Sequence, residues 1–321
     1  MFKSVYSFDR IRYIHSLIKN NDLFASVQNA ELIPKTACFF SDKLDVYIDT
    51  SDGVNDDLQI QEYCGRMLAC IRLSKGKKFL YFKCALSSEW STNISKLAKD
   101  NNGVVLPFFK WSFNQDFYKI SPSDLTTLKN KVKNSSHKYH AGLFADFTKE
   151  YKYPYPSSMS PIISCEDISK FNLSDLFGAE NLNQKSYYTI RSRSTILAKL
   201  EADENLSIFC GPLDYKDYME KSTECAAVIN PPGIGEYTSR MMDQASIGNL
   251  IVLRKNSYDQ ANSWKKYIPE IDFENDNWKE EFQSILDDKI LWQEKTQYYY
   301  EKLWSPDAVF NFMMTAVEKE I

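Results

Sequence analysis

Glu236, Arg240 and Asp243 stand four and three residues apart in GEYTSRMMD, a spacing that puts all three on one side of a helix. The chain ahead of them reads VINPPGIG, an apolar run that breaks into a Pro-Gly turn. A strand feeding a glycine loop that opens a helix can hold a diphosphate. Glycine lets the backbone come close, and bare N–H groups and the positive helix end face the anion. An Arg on the first turn can fork onto phosphate oxygens, and an Asp one turn on can accept from ribose hydroxyls. The bland alternative is an exposed i,i+4 Glu–Arg pair worth about 0.3–0.5 kcal/mol. The glycines before the helix (Gly233, Gly235) and the small-residue stop at Gly248, leading into LIVLR, favour binding.

Other groups offer chemistry at a distance in sequence. Asp49 and Asp52 follow the apolar run LDVYI in IDTSDGVNDD, so they fall at the carboxyl end of a strand. That is where α/β folds put their sites, and a carboxylate there can take a proton from a hydroxyl. Ser-Asp-Gly with a nearby Asn is also good turn chemistry by itself. Arg191 and Arg193 open a helical stretch, TIRSRSTILAKL, and read equally as charges on a solvated helix. His137, His140, Glu89, Arg254 and Lys255 are weaker candidates, each with an ordinary polar role available.

The elements needed to position these groups alternate along the chain. Apolar runs at 44–50, 77–86, 104–109, 139–147, 206–211, 226–232 and 250–254 predict strands. Helical spacing over 58–73, 87–100, 188–200 and 236–247 predicts helices between them. Such alternation implies parallel sheets with helices on their faces. A polar stretch, SPSDLTTLKNKVKNSSHK (121–138), divides the chain into a first unit, 1–130, and a second, 137–321. Ser305, Pro306 and Asp307 mark the start of a last helix, 305–320, expected to pack near or cross back to the first unit.

Composition bounds the rest. With 321 residues, 43% hydrophobic and 26% charged, the chain is an ordinary globular one of two-domain length. A net charge of −4 argues against a broad nucleic-acid footprint. Seven Cys without a CxxC pair argue against zinc and disulfide frameworks and for reduced thiols in a cytoplasmic setting. No run approaches the roughly 18 apolar residues of a membrane span.

The segment VINPPG…Ser239-Arg240…Asp243…Gly248…LIVL resembles the donor-binding core of GT-B-type glycosyltransferases, particularly the exostosin-like and protein O-glucosyl/xylosyltransferase groups. The resemblance extends over roughly 190–310. Asp243 stands where those groups usually have Glu, and Gly235 where the commonest GT-B enzymes have the first of two glutamates. The resemblance implies two Rossmann-like α/β domains facing across a cleft. It also implies transfer of a sugar from a nucleotide diphosphate donor to a hydroxyl of a glycan or other acceptor. Donor contacts would come from Gly233, Gly235, Glu236, Thr238, Ser239, Arg240 and Asp243, with Arg191 or Arg193 aimed at the diphosphate. Asp49 or Asp52 would be the base of an inverting reaction. Asp-x-x-Asp here is not the DxD metal motif of GT-A enzymes, so neither a metal nor a further cofactor is expected. A non-catalytic nucleotide- or glycan-binding module is the alternative from another class, and a transferase glycosylating nucleic-acid bases is a third reading that the acidic charge disfavours.

Overall fold

The computed structural model describes residues 2–7, 27–29, 32–33, 36–50, 57–84, 95–108, 120–144, 188–231, 239–255 and 266–321. The fold is mixed α/β, built on two sheets that contain parallel strands. Strands β1 (Ser4–Ser7), β2 (Val27–Asn29), β3 (Thr36–Phe40), β4 (Leu44–Asp49), β5 (Lys78–Cys84) and β6 (Gly103–Phe108) form a six-stranded sheet in the order β2-β1-β3-β4-β5-β6. β4, β5 and β6 run parallel, and β3 lies antiparallel to β4 across a turn pinned by the Ser41 hydroxyl. Strands β7 (Tyr139–Leu143), β8 (Ile208–Cys210), β9 (Cys225–Asn230), β10 (Ile251–Arg254) and β11 (Glu270–Ile271) form an all-parallel sheet in the order β11-β10-β9-β7-β8.

The side-chain period of two decides what each strand gives to each face. On β4 and β5, Leu44, Val46, Ile48, Leu80 and Phe82 point to one face, while Tyr47, Phe79 and Tyr81 point to the other. Helix α1 (Asp57–Ser74) covers the second face with Met67, Ala69 and Cys70. The first face is covered from the far end of the chain, by helix α8 (Pro306–Glu320) through Val309, Met313 and Val317. Phe82 meets Phe312 edge-on at 6.3 Å, and Lys78 pairs with Glu320. The last helix thus lies against the first sheet. Ser305 caps α8 by accepting from the Ala308 N–H at 3.2 Å, with Pro306 in the first turn.

The all-parallel sheet is covered on both faces. Helices α3 (Tyr188–Glu201) and α6 (Trp278–Asp287) bury Ile196, Leu200, Trp278 and Phe282 against Ala227, Ile229, Leu250 and Val252. Helices α2 (Pro122–Asn134) and α4 (Tyr215–Ser222) cover the opposite face around Val228. The expected polar linker is thus largely α2, a helix with a Ser121–Asp124 capping box. Its Leu125, Leu128 and Val132 are buried with Phe144, Tyr218 and Val228, so the helix that straddles residue 130 packs on the all-parallel sheet.

Helix α5 (Ser239–Ile247) joins the two sheets. Its Met241, Met242 and Ala245 share one buried cluster with Ile48, Leu80, Ile251, Leu253, Trp304 and Met313. Helix α7 (Lys289–Tyr299) runs into a π-helical turn (Tyr300–Trp304) that packs on α5 and passes the chain on to α8.

Candidate functional site

In the all-parallel sheet the chain lays down β7, then β8 on one side of it and β9 on the other. The strand order therefore reverses between β7 and β9. At such a switch point the loops leaving the two strands diverge and open a crevice at their carboxyl ends, where open α/β sheets bind ligands. Arg240, on the first turn of α5, is at this place: its Nη1 donates to the carbonyl of Phe144, just past the end of β7, at 2.7 Å. A guanidinium has five N–H donors in a fixed fork, and this bond orients the plane.

Asp243, one turn on, is almost covered, with 2% exposure. Its charge acts on two tyrosine hydroxyls, Tyr218 of α4 and Tyr300 of the π-helical turn. Burial, chiefly, and then this charge push both phenols above their ordinary range, so both remain protonated and able to donate at neutral pH. The end of α5 is fixed by buried polar bonds. Asn249 donates to Gln244 Oε1 at 2.6 Å and to the Ser222 carbonyl at 3.2 Å. Gly248, at φ +79°, makes the left-handed turn that ends the helix, and Gln293 of α7 donates to its carbonyl.

The first sheet carries a second polar cluster at the carboxyl ends of β4 and β5. Asp49 and Lys83 are register partners, and the alternation of both strands turns them toward α1. Asp49 Oδ2 accepts from Arg66 Nε of α1 at 2.9 Å and from the Tyr81 hydroxyl at 2.5 Å. Lys83 Nζ lies 3.8 Å from Oδ1. Asp49 is 0% exposed and Lys83 1%, so this is an ionic cluster held within the fold. The Asp49 carboxylate is engaged by these three side chains.

Other residues named from the sequence fall differently. Asp52, Gly233, Gly235, Glu236, Thr238 and Glu89 lie outside the described residues. Arg191 and Arg193 are in the first turns of α3 and Ser239 is the first residue of α5; their side chains are outside the description. Arg254 pairs with Glu274 at 2.8 Å, and Lys255 lies 3.7 Å from Asp272. His140 bonds Ser207 across the amino end of the sheet, and His137 contacts Lys289 at the start of α7. Among the described residues no cluster of three metal-ligating side chains occurs, and no helix is long and apolar enough to cross a membrane.

Sequence reasoning missed Arg66, Tyr81 and Lys83, though strand parity on LDVYID and KFLYFKC already aligns Asp49 with Tyr81 and Lys83 once the strands are paired in register. It also missed Tyr218 and Tyr300, whose hydroxyls feel the Asp243 charge only because tertiary packing brings α4 and the π-helical turn to α5.

No family model matches the chain, and no curated protein matches it. Among solved structures, a glycosyltransferase from Rickettsia africae ESF-5 overlays with a TM-score of 0.40 and 14% identity, covering 84% of this chain and 69% of that one. A likeness of that degree assigns neither a family nor an activity. The class that can be stated is that of a two-sheet α/β protein with an arginine and a covered aspartate beside the switch point of its all-parallel sheet.

Proposed function

We propose that this chain is a glycosyltransferase of GT-B type that moves a sugar from a nucleotide diphosphate donor to a hydroxyl acceptor, with inversion and without a metal. The observation that carries the reading is the position of Arg240, tied to the Phe144 carbonyl beside the β7/β9 switch point and preceded in sequence by Pro231, Pro232 and Gly233. In this reading Arg240 and the backbone N–H groups at the start of α5 stabilise the diphosphate as it leaves. Fixed donors of this kind can take the part a metal plays elsewhere. Arg191 or Arg193 adds a second cation, and Gly233, Gly235, Glu236, Thr238 and Ser239 are assigned further donor contacts. Asp243 accepts from the ribose.

The first sheet supplies the acceptor side. Asp49 is enclosed by Arg66, Tyr81 and Lys83, and we assign it the task of fixing the end of β4. Asp52, three residues on, is then the member of the pair left to take the acceptor proton.

Mass-resolved turnover of a panel of nucleotide sugars, with and without EDTA, tests the proposal. Release of a nucleoside diphosphate with sugar transfer or slow hydrolysis, unchanged by EDTA, is expected. Binding without any turnover would instead favour a non-catalytic module. Activity abolished by EDTA and restored by Mn²⁺ or Mg²⁺ would remove the metal-free mechanism.

A further inference from the structure

Lys289 opens α7 at the amino end of the all-parallel sheet, away from Arg240 at the carboxyl end. Its Nζ meets Nε2 of His137, in the connection between α2 and β7. The side chain is half-buried, yet among the described residues it forms no ion pair. An ammonium drawn out of water is ordinarily matched by a carboxylate. Asp287 and Asp288, its neighbours in sequence, are both exposed and neither pairs with it. Glu224 is taken by Lys221 at 2.7 Å. Cys225, at the start of β9, is the remaining titratable group that acts on Lys289. Burial pushes that thiol up to about 12, so it stays neutral and supplies no counter-charge. The partner of Lys289 is therefore a base.

The surroundings favour the uncharged form of both groups. Burial brings Lys289 down to about 8, and a cation at the positive end of α7 is disfavoured as well. Burial, and then Lys289, hold His137 below its ordinary value. With Nε2 facing a donor, the imidazole proton sits on Nδ1, which is buried without a hydrogen-bond partner among the described residues. The His137 N–H donates to Ser135 Oγ at 3.1 Å, which helps to hold the residue at φ +40°. A lysine nitrogen thus rests against an imidazole lone pair.

We infer that Lys289 is a nucleophilic amine and the preferred acylation site of this chain, with His137 receiving the proton that the nitrogen sheds. The site is separate from the proposed donor site and does not depend on it. Its co-reactant is an activated acyl donor of the thioester class. The Lys289 nitrogen adds to the acyl carbon, the C–S bond breaks, and the sulfur leaves as thiolate. The proton passes from nitrogen to His137 Nε2 and on to the thiolate, leaving an amide and a free thiol. Desolvation is a known route to a nucleophilic lysine. At pH 7.5 an amine with a value near 8 is about one-quarter neutral, against about 0.1% for one at 10.5.

The test is competitive labelling of the full chain with a small thioester, N,S-diacetylcysteamine, from pH 6.5 to 9.5. Peptide mass spectrometry gives the acetylation rate at Lys289 and at the exposed Lys138 and Lys216. At pH 7.5 Lys289 should react about 10-fold faster or more than either. Above about 8 its rate should level off while theirs keep rising, so the ratio falls. His137→Asn, which keeps a residue tolerant of the left-handed backbone, should slow Lys289 by about 5-fold or more and leave Lys216 unchanged. A wild-type Lys289 no faster than Lys138 and Lys216, or one whose rate climbs in parallel with theirs to pH 9.5, would overturn the site without recourse to any variant. An unchanged Lys289 rate in folded His137→Asn would overturn the part given to His137.

Discussion

Asp49 and Asp52 look interchangeable in IDTSDGVNDD, yet the surroundings of Asp49 set it apart. Asp49 contacts Arg66, Tyr81 and Lys83, all at most 5% exposed. Removing one member of a buried charge cluster leaves the others uncompensated, at a cost of about 3–5 kcal/mol. Asp49→Asn should therefore lower stability by that amount in chemical denaturation, whatever it does to turnover. Asp52→Asn, as the proposed base, should lower turnover by about 10²–10⁴, the usual worth of a general base. An Asp49→Asn variant as stable as the wild type would refute the anchoring role. The sequence offers no means of telling these two apart. The cluster takes its members from two strands and a helix, and only the register Asp49↔Lys83 brings them to one face.

At the scale of elements, strands are legible wherever the chain runs apolar for five or six residues, because a strand buried on both faces needs no alternation. β4, β5, β9 and β10 are of that kind. β1, β2, β3 and β11 escape a reading of the sequence: β1, β2 and β11 are short, and β3 runs antiparallel to both its neighbours. α2 looks like a linker in sequence because its three buried residues, Leu125, Leu128 and Val132, are thinly set in a polar stretch. The connection from α2 to β7 is fixed by His137, in the left-handed region at φ +40°, which contacts Lys289 of α7. Burial holds the Lys289 ammonium down to about 8 from an ordinary 10.5. Between those values the unfolded chain keeps a proton that the folded chain has given up, so stability from this group rises with pH. Below about 8 both states hold the proton, and above 10.5 neither does. Measured against Lys289→Met, the wild type should gain stability as pH climbs through that window. A constant difference between the two proteins would mean that Lys289 is not desolvated.

For the molecule as a whole, the two sheets are not independent. Met241 and Met242 of α5, Trp304 of the π-helical turn and Val309, Met313 and Val317 of α8 share one buried cluster with β4, β5 and β10. Separate unfolding of either sheet would expose that cluster, so scanning calorimetry should show one cooperative transition. Two resolved transitions would mean that the joint contributes little. The same joint brings the π-helical turn to α5, which no local pattern in the chain could announce. The order of β9, α5 with Arg240 and Asp243, and β10 is legible in the sequence, and the proposed donor site depends above all on Arg240. Its most direct test is titration of nucleoside diphosphates into the wild type, Arg240→Ala and Arg240→Lys, with the fold of each checked by circular dichroism. Arg240→Ala should lose about 1.5–3 kcal/mol of binding, the range for hydrogen bonds to charged groups. Arg240→Lys should recover only part of it, since an ammonium cannot reproduce the planar fork. Unchanged affinity in a correctly folded Arg240→Ala variant would contradict the donor site at the switch point.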